Sequence, residues 1–258
     1  MSSEQVFVVT GANKGIGLAL ATQISTTSKV IATVRSKEGS KSSALFKLNN
    51  VEVVELDVFS ESSIDAAVKE IETLAPTGID GIWNNAGVYN VGKADVNMAP
   101  VDFGSLQKEI TTNAIGPAYL TSKLVPLMEK RTTKKVMFIS TLVSSFSLVS
   151  DMKDMIDNLS LAYTYSTSKI ALNFLAFFLH HHLSKKGFTI IILHPGVVTT
   201  DMAKEAIPED ATNIDQSFET LTPDQSAEKL LQTVKELDSK KSDYKFVLTN
   251  YDGSILPF

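Results

Sequence analysis

Gln5-Val6-Phe7-Val8-Val9-Thr10-Gly11-Ala12-Asn13-Lys14-Gly15-Ile16-Gly17-Leu18-Ala19-Leu20-Ala21 decides the fold of this chain. Its first six residues are an apolar, β-branched run without alternation, the pattern of a strand covered on both faces in a parallel sheet. The chain then turns through glycines into a segment where Ile16, Leu20 and Ile24 recur at helical spacing. Gly11 permits the tight turn, Gly15 lets the backbone approach a pyrophosphate, and Gly17 allows close packing of helix on strand. Free N–H groups at the helix start face the anion. Any strand-to-helix turn can need one glycine; three of them between a strand and a helix point to a dinucleotide cradle.

Working outward, strands alternate with helices. Lys29–Val34, Val51–Leu56, Ile79–Trp83, Val136–Ile139, Thr189–Leu193 and Lys245–Leu248 read as further strands. Ile64, Val68, Ile71 and Leu74 mark one face of a helix starting near Ser60. Thr222, Pro223 and Gln225 form a helix start with a cap, a first-position proline and a reciprocal glutamine. This order implies an α/β chain: one Rossmann-type, doubly wound parallel sheet of about seven strands with helices on both faces. Its ligands should sit beyond the carboxyl ends of the strands.

The chain of 258 residues, 43% apolar, can bury a large core as a single domain. It has no cysteine, so disulfides and thiolate chemistry are excluded, which suits a reducing, cytoplasmic setting. The net charge of −5 argues against a nucleic-acid surface. The first apolar run is short and lacks a basic leader, so neither a signal peptide nor a membrane span is expected. His180-His181-His182 cannot converge on one metal ion, because adjacent helical residues point in different directions. No metal is expected, and Phe174, Phe177 and Phe178 read as packing residues of a core or subunit contact.

Five motifs fall in a telling order: Thr10-Gly11-x-x-x-Gly15-x-Gly17, Asn84-Asn85-Ala86-Gly87, Asn113 within Thr112-Asn113-Ala114-Ile115-Gly116, Tyr165-x-x-x-Lys169, and Pro195-Gly196-Val197-Val198-Thr199-Thr200. Across essentially its whole length the chain resembles the short-chain dehydrogenase/reductases. The ending Asn250-Tyr251-Asp252-Gly253 further resembles their Sniffer-like carbonyl-reductase branch. The resemblance implies a nicotinamide cofactor held by Gly11, Asn13, Lys14, Gly15, Ile16 and Gly17, with Asp57 and Val58 at the adenine edge. It also implies Asn85, Ala86 and Gly87 along a ribose, and Pro195, Val198 and Thr200 toward the carboxamide and phosphates.

The chemistry follows from side-chain properties. A carbonyl accepting hydride develops negative charge on oxygen and must receive a proton. Tyrosine can donate it, but an unperturbed pKa of about 10 makes the phenolate costly near neutrality. A lysine four residues along a helix shares its face, and its charge is expected to lower that pKa. Tyr165 is therefore the expected general acid and Lys169 its tuner; by resemblance Lys169 also binds the ribose and Asn113 holds a relay water. Tyr163 competes with Tyr165 only if the lysine pairing is ignored.

The second hydroxyl is where the chain departs from the family pattern. After Val136-Met137-Phe138-Ile139 come Ser140 and Thr141, and the second position, Thr141, is the expected substrate hydroxyl with Ser140 as the alternative. Threonine donates the same hydrogen bond as serine, with a methyl that narrows the pocket. From Thr141 to Tyr165 the interval is longer than usual in the family, which implies an insertion within Ser147 to Ala162, in an irregular region at 143–162 beside the active-site mouth. Leu148, Met152, Met155, Ile156 and Leu159 there either cover the substrate as a short helix or pack a surface loop. A second irregular region, 201–221, is the expected substrate loop. Tyr89, Met98, Phe146, Met152, Met155, Met202 and Phe218 suggest an apolar or aromatic small-molecule carbonyl substrate.

An NAD-specific relative would carry a carboxylate at the end of the second strand. Here Thr33-Val34-Arg35-Ser36 places Arg35 there, and Lys14 adds a second cation, so NADPH/NADP is the expected cofactor. The expected activity is NADPH-dependent reduction of an aldehyde or ketone by a monomer or homodimer. An NADP-dependent alcohol dehydrogenase and a non-catalytic NADPH-sensing protein are the alternatives.

Overall fold

Strands that are apolar on both faces need cover on both sides, and the chain supplies it by alternating them with helices. The computed structural model describes residues 4–89, 101–151, 163–206, 219–239 and 245–258. Its first half runs β1 (Val6–Val9), α1 (Gly15–Ile24), β2 (Lys29–Val34), β3 (Val51–Glu55), α2 (Glu61–Leu74), β4 (Gly81–Asn84), α3 (Phe103–Ile110) and α4 (Gly116–Glu129). The second half runs β5 (Lys135–Ile139), α5 (Phe146–Asp151), α6 (Tyr163–Leu183), β6 (Thr189–His194), β7 (Val197–Val198) and α7 (Asp201–Ala206). It closes with β8 (Thr220–Leu221), α8 (Pro223–Ser239), β9 (Leu248–Asn250) and β10 (Ile255–Leu256).

The main sheet has the order β3-β2-β1-β4-β5-β6-β9-β10. Its first seven strands are mutually parallel, and β10 runs antiparallel to β9. The sheet thus holds one strand more than expected. Tyr251-Asp252-Gly253 fold the chain back on itself: Gly253 takes φ +84°, and Asn250 N–H donates to Ser254 O at 2.8 Å. β9 also begins later than expected, at Leu248, because Leu248 and Asn250 are the residues in register with Ile192 and His194. β7 and β8 form a separate parallel pair.

Successive strand residues enter opposite layers. Val8, Ile31, Val54, Ile82, Val136 and Ile190 pack with Ile64, Leu120 and Leu172 under α2, α4 and α6. Val9, Ala32, Trp83, Met137 and Ile191 pack with Leu20 and Leu230 under α1 and α8. The helix starts form where the sequence places them. Ser60 Oγ accepts from Ser63 N–H at 3.3 Å. At α8, Gln225 N–H donates to Thr222 Oγ1 at 3.2 Å while Thr222 N–H donates to Gln225 Oε1 at 2.9 Å. Phe174, Phe177 and Phe178 are not core residues: their rings pack on one another, and Phe177 on Phe246, at the surface of α6. The helical period that groups them gives no phase, and the opposite stripe, Leu172 and Ala176, is the buried one.

Strand order reverses between β1 and β4, the place where a doubly wound sheet takes its ligand, in the crevice beyond the carboxyl ends of the strands. Between α3 and α4 one wide π-turn, Thr111–Ile115, carries Asn113 to the crevice. Residues 152–162 of the expected insertion, 207–218 of the expected substrate loop and Met98 lie outside the described residues.

Candidate functional site

Gly11 and Gly15 take φ +65° and +58°, where an L side chain is strained. A Cβ on Gly11 would lie 2.9 Å from Ala86 Cα, and one on Gly17 2.3 Å from Gly11 O. At Gly15 a Cβ would be in van der Waals contact with Thr200 Cγ2 at 3.4 Å, so only the positive φ demands glycine there. Lys14 enters α1 in extended conformation and supplies no side-chain cap. The first N–H groups of α1 are thereby left to an external acceptor. These features fit the pyrophosphate of a dinucleotide.

Thr10, absent from the expected site residues, ties the cradle together. Its hydroxyl donates to Trp83 O at 3.3 Å and accepts from Asn85 N–H and Ala86 N–H, both at 3.0 Å. Asn85 turns back into the glycine loop, its Nδ2 donating to Thr10 O at 2.9 Å and Gly11 O at 3.3 Å. Asn85 therefore fixes the loop with its side chain. Asn13 O accepts from Ser43 Oγ at 2.6 Å, and Ile16 packs against the α1 layer of the core.

The two expected phosphate-binding cations stand differently. Arg35 follows the buried Val34, is exposed, and makes no ion pair among the described residues. Lys14 Nζ pairs with Asp201 Oδ2 at 2.8 Å, across the crevice from the glycine loop to the start of α7. Asp57 accepts from Phe59 N–H at 3.0 Å, and Val58 is buried in the core. Pro195 O accepts from Ser226 Oγ at 2.7 Å, Val198 is buried, and Thr200 Oγ1 caps Ala203 N–H at 3.2 Å.

Asn113 is fully buried. Its Oδ1 accepts from Val88 N–H at 2.8 Å, and its Nδ2 donates to Val88 O at 2.8 Å and to Ser168 Oγ at 3.0 Å. Ser168 Oγ in turn donates to Tyr165 O at 2.6 Å. A Cβ on Gly87 would meet Asn113 Oδ1 at 3.2 Å and Lys169 Nζ at 3.8 Å, which puts these three residues in one place.

Tyr165 and Lys169 share a face of α6, with Lys169 Nζ 5.7 Å from the Tyr165 ring centroid. The Lys169 ammonium donates to Ile139 O at 2.8 Å, and burial brings its pKa down to about 8. The Tyr89 ring meets that of Tyr165 edge to face at 5.2 Å. Contrary to expectation, the Tyr165 phenol lies well above its ordinary pKa. Burial is the main cause, and the charges of Glu109 and Tyr89 add to it. Loss of hydration outweighs the nearby cation. The rival Tyr163 is committed elsewhere, its hydroxyl accepting from Asp102 N–H at 2.8 Å.

Ser140 and Thr141 diverge. The buried Ser140 hydroxyl donates to Asn173 Oδ1 at 2.7 Å, inside the molecule. Thr141 is half-buried, and its Oγ1 accepts from Val143 N–H at 3.4 Å, which leaves the O–H free to donate. Glu109, Asn173 and Ser144 also belong to this cluster and were missed in the sequence. Helical spacing was the available signal: Glu109 lies four residues before Asn113, and Asn173 four after Lys169.

The profile of the family described as short chain dehydrogenase matches residues 5–211. The chain belongs to the short-chain dehydrogenase/reductase family. As a member it is an oxidoreductase that works with a nicotinamide cofactor. An uncharacterized oxidoreductase of Schizosaccharomyces pombe is 31% identical, over 100% of this chain and 99% of its own. The NADPH-bound carbonyl reductase from chicken fatty liver matches with a TM-score of 0.83 at 25% identity, over 99% of each chain. The fold likeness extends to the carbonyl reductase Sniffer of D. melanogaster, with a TM-score of 0.78 at 24% identity over 99% of each chain. Among the described residues of this family member, no helix is long and apolar enough to cross a membrane.

Proposed function

We propose that the chain is an NADPH-dependent carbonyl reductase that converts a small apolar or aromatic aldehyde or ketone to its alcohol. The observation that carries this reading is the joining of Tyr165, Lys169 and the strand-end turn bearing Thr141 at the carboxyl edge of the sheet. When bound, the reduced nicotinamide supplies the hydride. Thr141 O–H donates to the substrate oxygen and orients it, and the Tyr165 hydroxyl gives that oxygen its proton. Lys169 holds the end of β5 and would bind the ribose of the cofactor, and Asn113 joins α6 to the segment after β4.

Two further features support the finer points. Arg35, free of acidic partners, suits a 2′-phosphate, with Lys14 as a second cation once it leaves Asp201. The Tyr89 ring beside Tyr165 offers an apolar wall to the substrate. The likeness to the NADPH-bound chicken carbonyl reductase points the same way.

The test is NADPH oxidation, with NADH alongside, against small aldehydes, ketones, diketones and quinones. Turnover that prefers NADPH, and that Tyr165→Phe abolishes while cofactor affinity is kept, supports the proposal. Tight NADPH binding with no turnover in the panel sinks it in favour of a nucleotide sensor.

A further inference from the structure

The face of α6 that bears Tyr165 and Lys169 continues one turn further to Asn173. Asn173, Ser140 and Ser144 are all buried, with relative exposures of 5%, 2% and 3%. Asn173 Nδ2 donates to Ser144 Oγ at 2.8 Å, and Asn173 Oδ1 accepts the Ser140 proton at 2.7 Å. Ser144 Oγ donates to Thr141 O at 2.5 Å, and the same carbonyl accepts from Ser144 N–H at 3.1 Å.

Each hydroxyl has one proton to give. Ser140 spends its proton on Asn173 and Ser144 spends its own on Thr141, so the 3.1 Å approach of their two oxygens carries no hydrogen bond. In this arrangement every member of the chain has a partner, from Ser140 through Asn173 and Ser144 to the Thr141 carbonyl. A buried network with every member satisfied is rigid.

We infer that Asn173 is a positioning residue for Thr141, clamping the turn that carries its hydroxyl onto the helix that carries Tyr165. This rests on the reading of Thr141 as the substrate-orienting hydroxyl. Two donors aimed at one substrate oxygen must keep a fixed separation, and the clamp supplies it: Lys169 holds Ile139 O, Asn173 holds Ser140 and Ser144, and Thr141 lies between. A displacement of about 1 Å in such a donor costs on the order of 10²-fold in rate, so partial loosening should cost about tenfold.

A double-mutant cycle tests it, with 4-nitrobenzaldehyde and NADPH as the probe pair. Thr141→Val should lower kcat about 10²-fold. Asn173→Ala should lower kcat about tenfold per folded molecule, with KM for NADPH unchanged, and should cost nothing further in the Thr141→Val background. Ser144→Ala, a smaller change that removes only the hydroxyl on Thr141 O, should follow the same pattern and serves if Asn173→Ala does not fold. A residue that merely supports the fold would lower the melting temperature without this non-additivity in kcat. Losses that multiply in the double variant overturn the inference and leave the Thr141 reading intact. A wild-type rate in Thr141→Val overturns that reading and the inference with it.

Discussion

Replacing Arg35 with alanine should cost the enzyme its preference for the phosphorylated cofactor and little else. The Cα of Arg35 is fixed by its neighbour Val34, the last residue of β2, which is 1% exposed. Only the exposed side chain is lost. A hydrogen bond to a charged group contributes about 1.5 to 3 kcal/mol. Water screens an exposed guanidinium, so the lower half of that range applies, which is roughly a ten- to fortyfold rise in KM for NADPH. KM for NADH should move less than about twofold, since an unphosphorylated ribose makes no use of the charge. The gap should narrow as salt is added. Lys14→Ala should cost less than Arg35→Ala, because Lys14 must first give up Asp201. Arg35→Asp should reverse the preference, offering the 2′-hydroxyl an acceptor and a phosphate a repulsion. Steady-state kinetics with both cofactors at two ionic strengths decides the matter. Equal losses for NADPH and NADH, or none for either, would refute the assignment of Arg35 to the phosphate.

Gly17→Ala would set a methyl 2.3 Å from Gly11 O and 2.5 Å from Asn85 Nδ2, so cofactor binding, followed by NADPH fluorescence, should fall sharply together with the melting temperature. An alanine that binds NADPH normally would show that α1 can pull away from the loop. Glu109→Gln removes a charge that favours the protonated Tyr165 phenol, so in alcohol oxidation the rise of kcat/KM with pH should move to lower pH; a stationary limb would mean that Glu109 does not reach the phenol. Burial holds His194 down to about pKa 4 from its ordinary 6.5. Between those values the unfolded chain binds a proton that the folded chain does not, so stability falls as pH drops from 6.5 toward 4. From pH 7 to 5 this amounts to about 2 kcal/mol, which His194→Gln should abolish in urea unfolding measured at the two pH values. An equal acid loss in the variant would place the effect on other groups.

The alternation of strands and helices was legible because each element carries its own period, and β2 falls on Lys29–Val34 as read. The caps at Ser60 and Thr222 were legible because a cap is a local contact. What the sequence did not disclose depends on phase or distant neighbours. Ser140 and Thr141 are adjacent hydroxyls on alternate faces of a strand end, and only packing against Asn173 decides which one turns inward. The direction of the Tyr165 shift was missed because a lysine four residues away is visible in the sequence, whereas burial and Glu109 arrive from other elements. The β9–β10 hairpin lay hidden in a two-residue strand, although the Asn250-Tyr251-Asp252-Gly253 that marked the family resemblance proves to be its turn. In the glycine loop every glycine stands where the spacing put it, yet the residue that fastens the loop is Thr10.

The wide turn at Thr111–Ile115 holds one residue more than a regular helix would. Each residue advances a helix by about 100°, so everything after that turn is rotated by this angle relative to an uninterrupted path. The buried stripe of α4, with Leu120, Leu124 and Met128, meets the sheet only with that rotation in place, while Glu109 and Asn113 remain aimed at Tyr165 and Val88. Deleting one residue here would leave a smoother helix and a worse molecule: either the core stripe or the polar stripe would face the wrong way. The length of this stretch is therefore as much a part of the site as Asn113 within it.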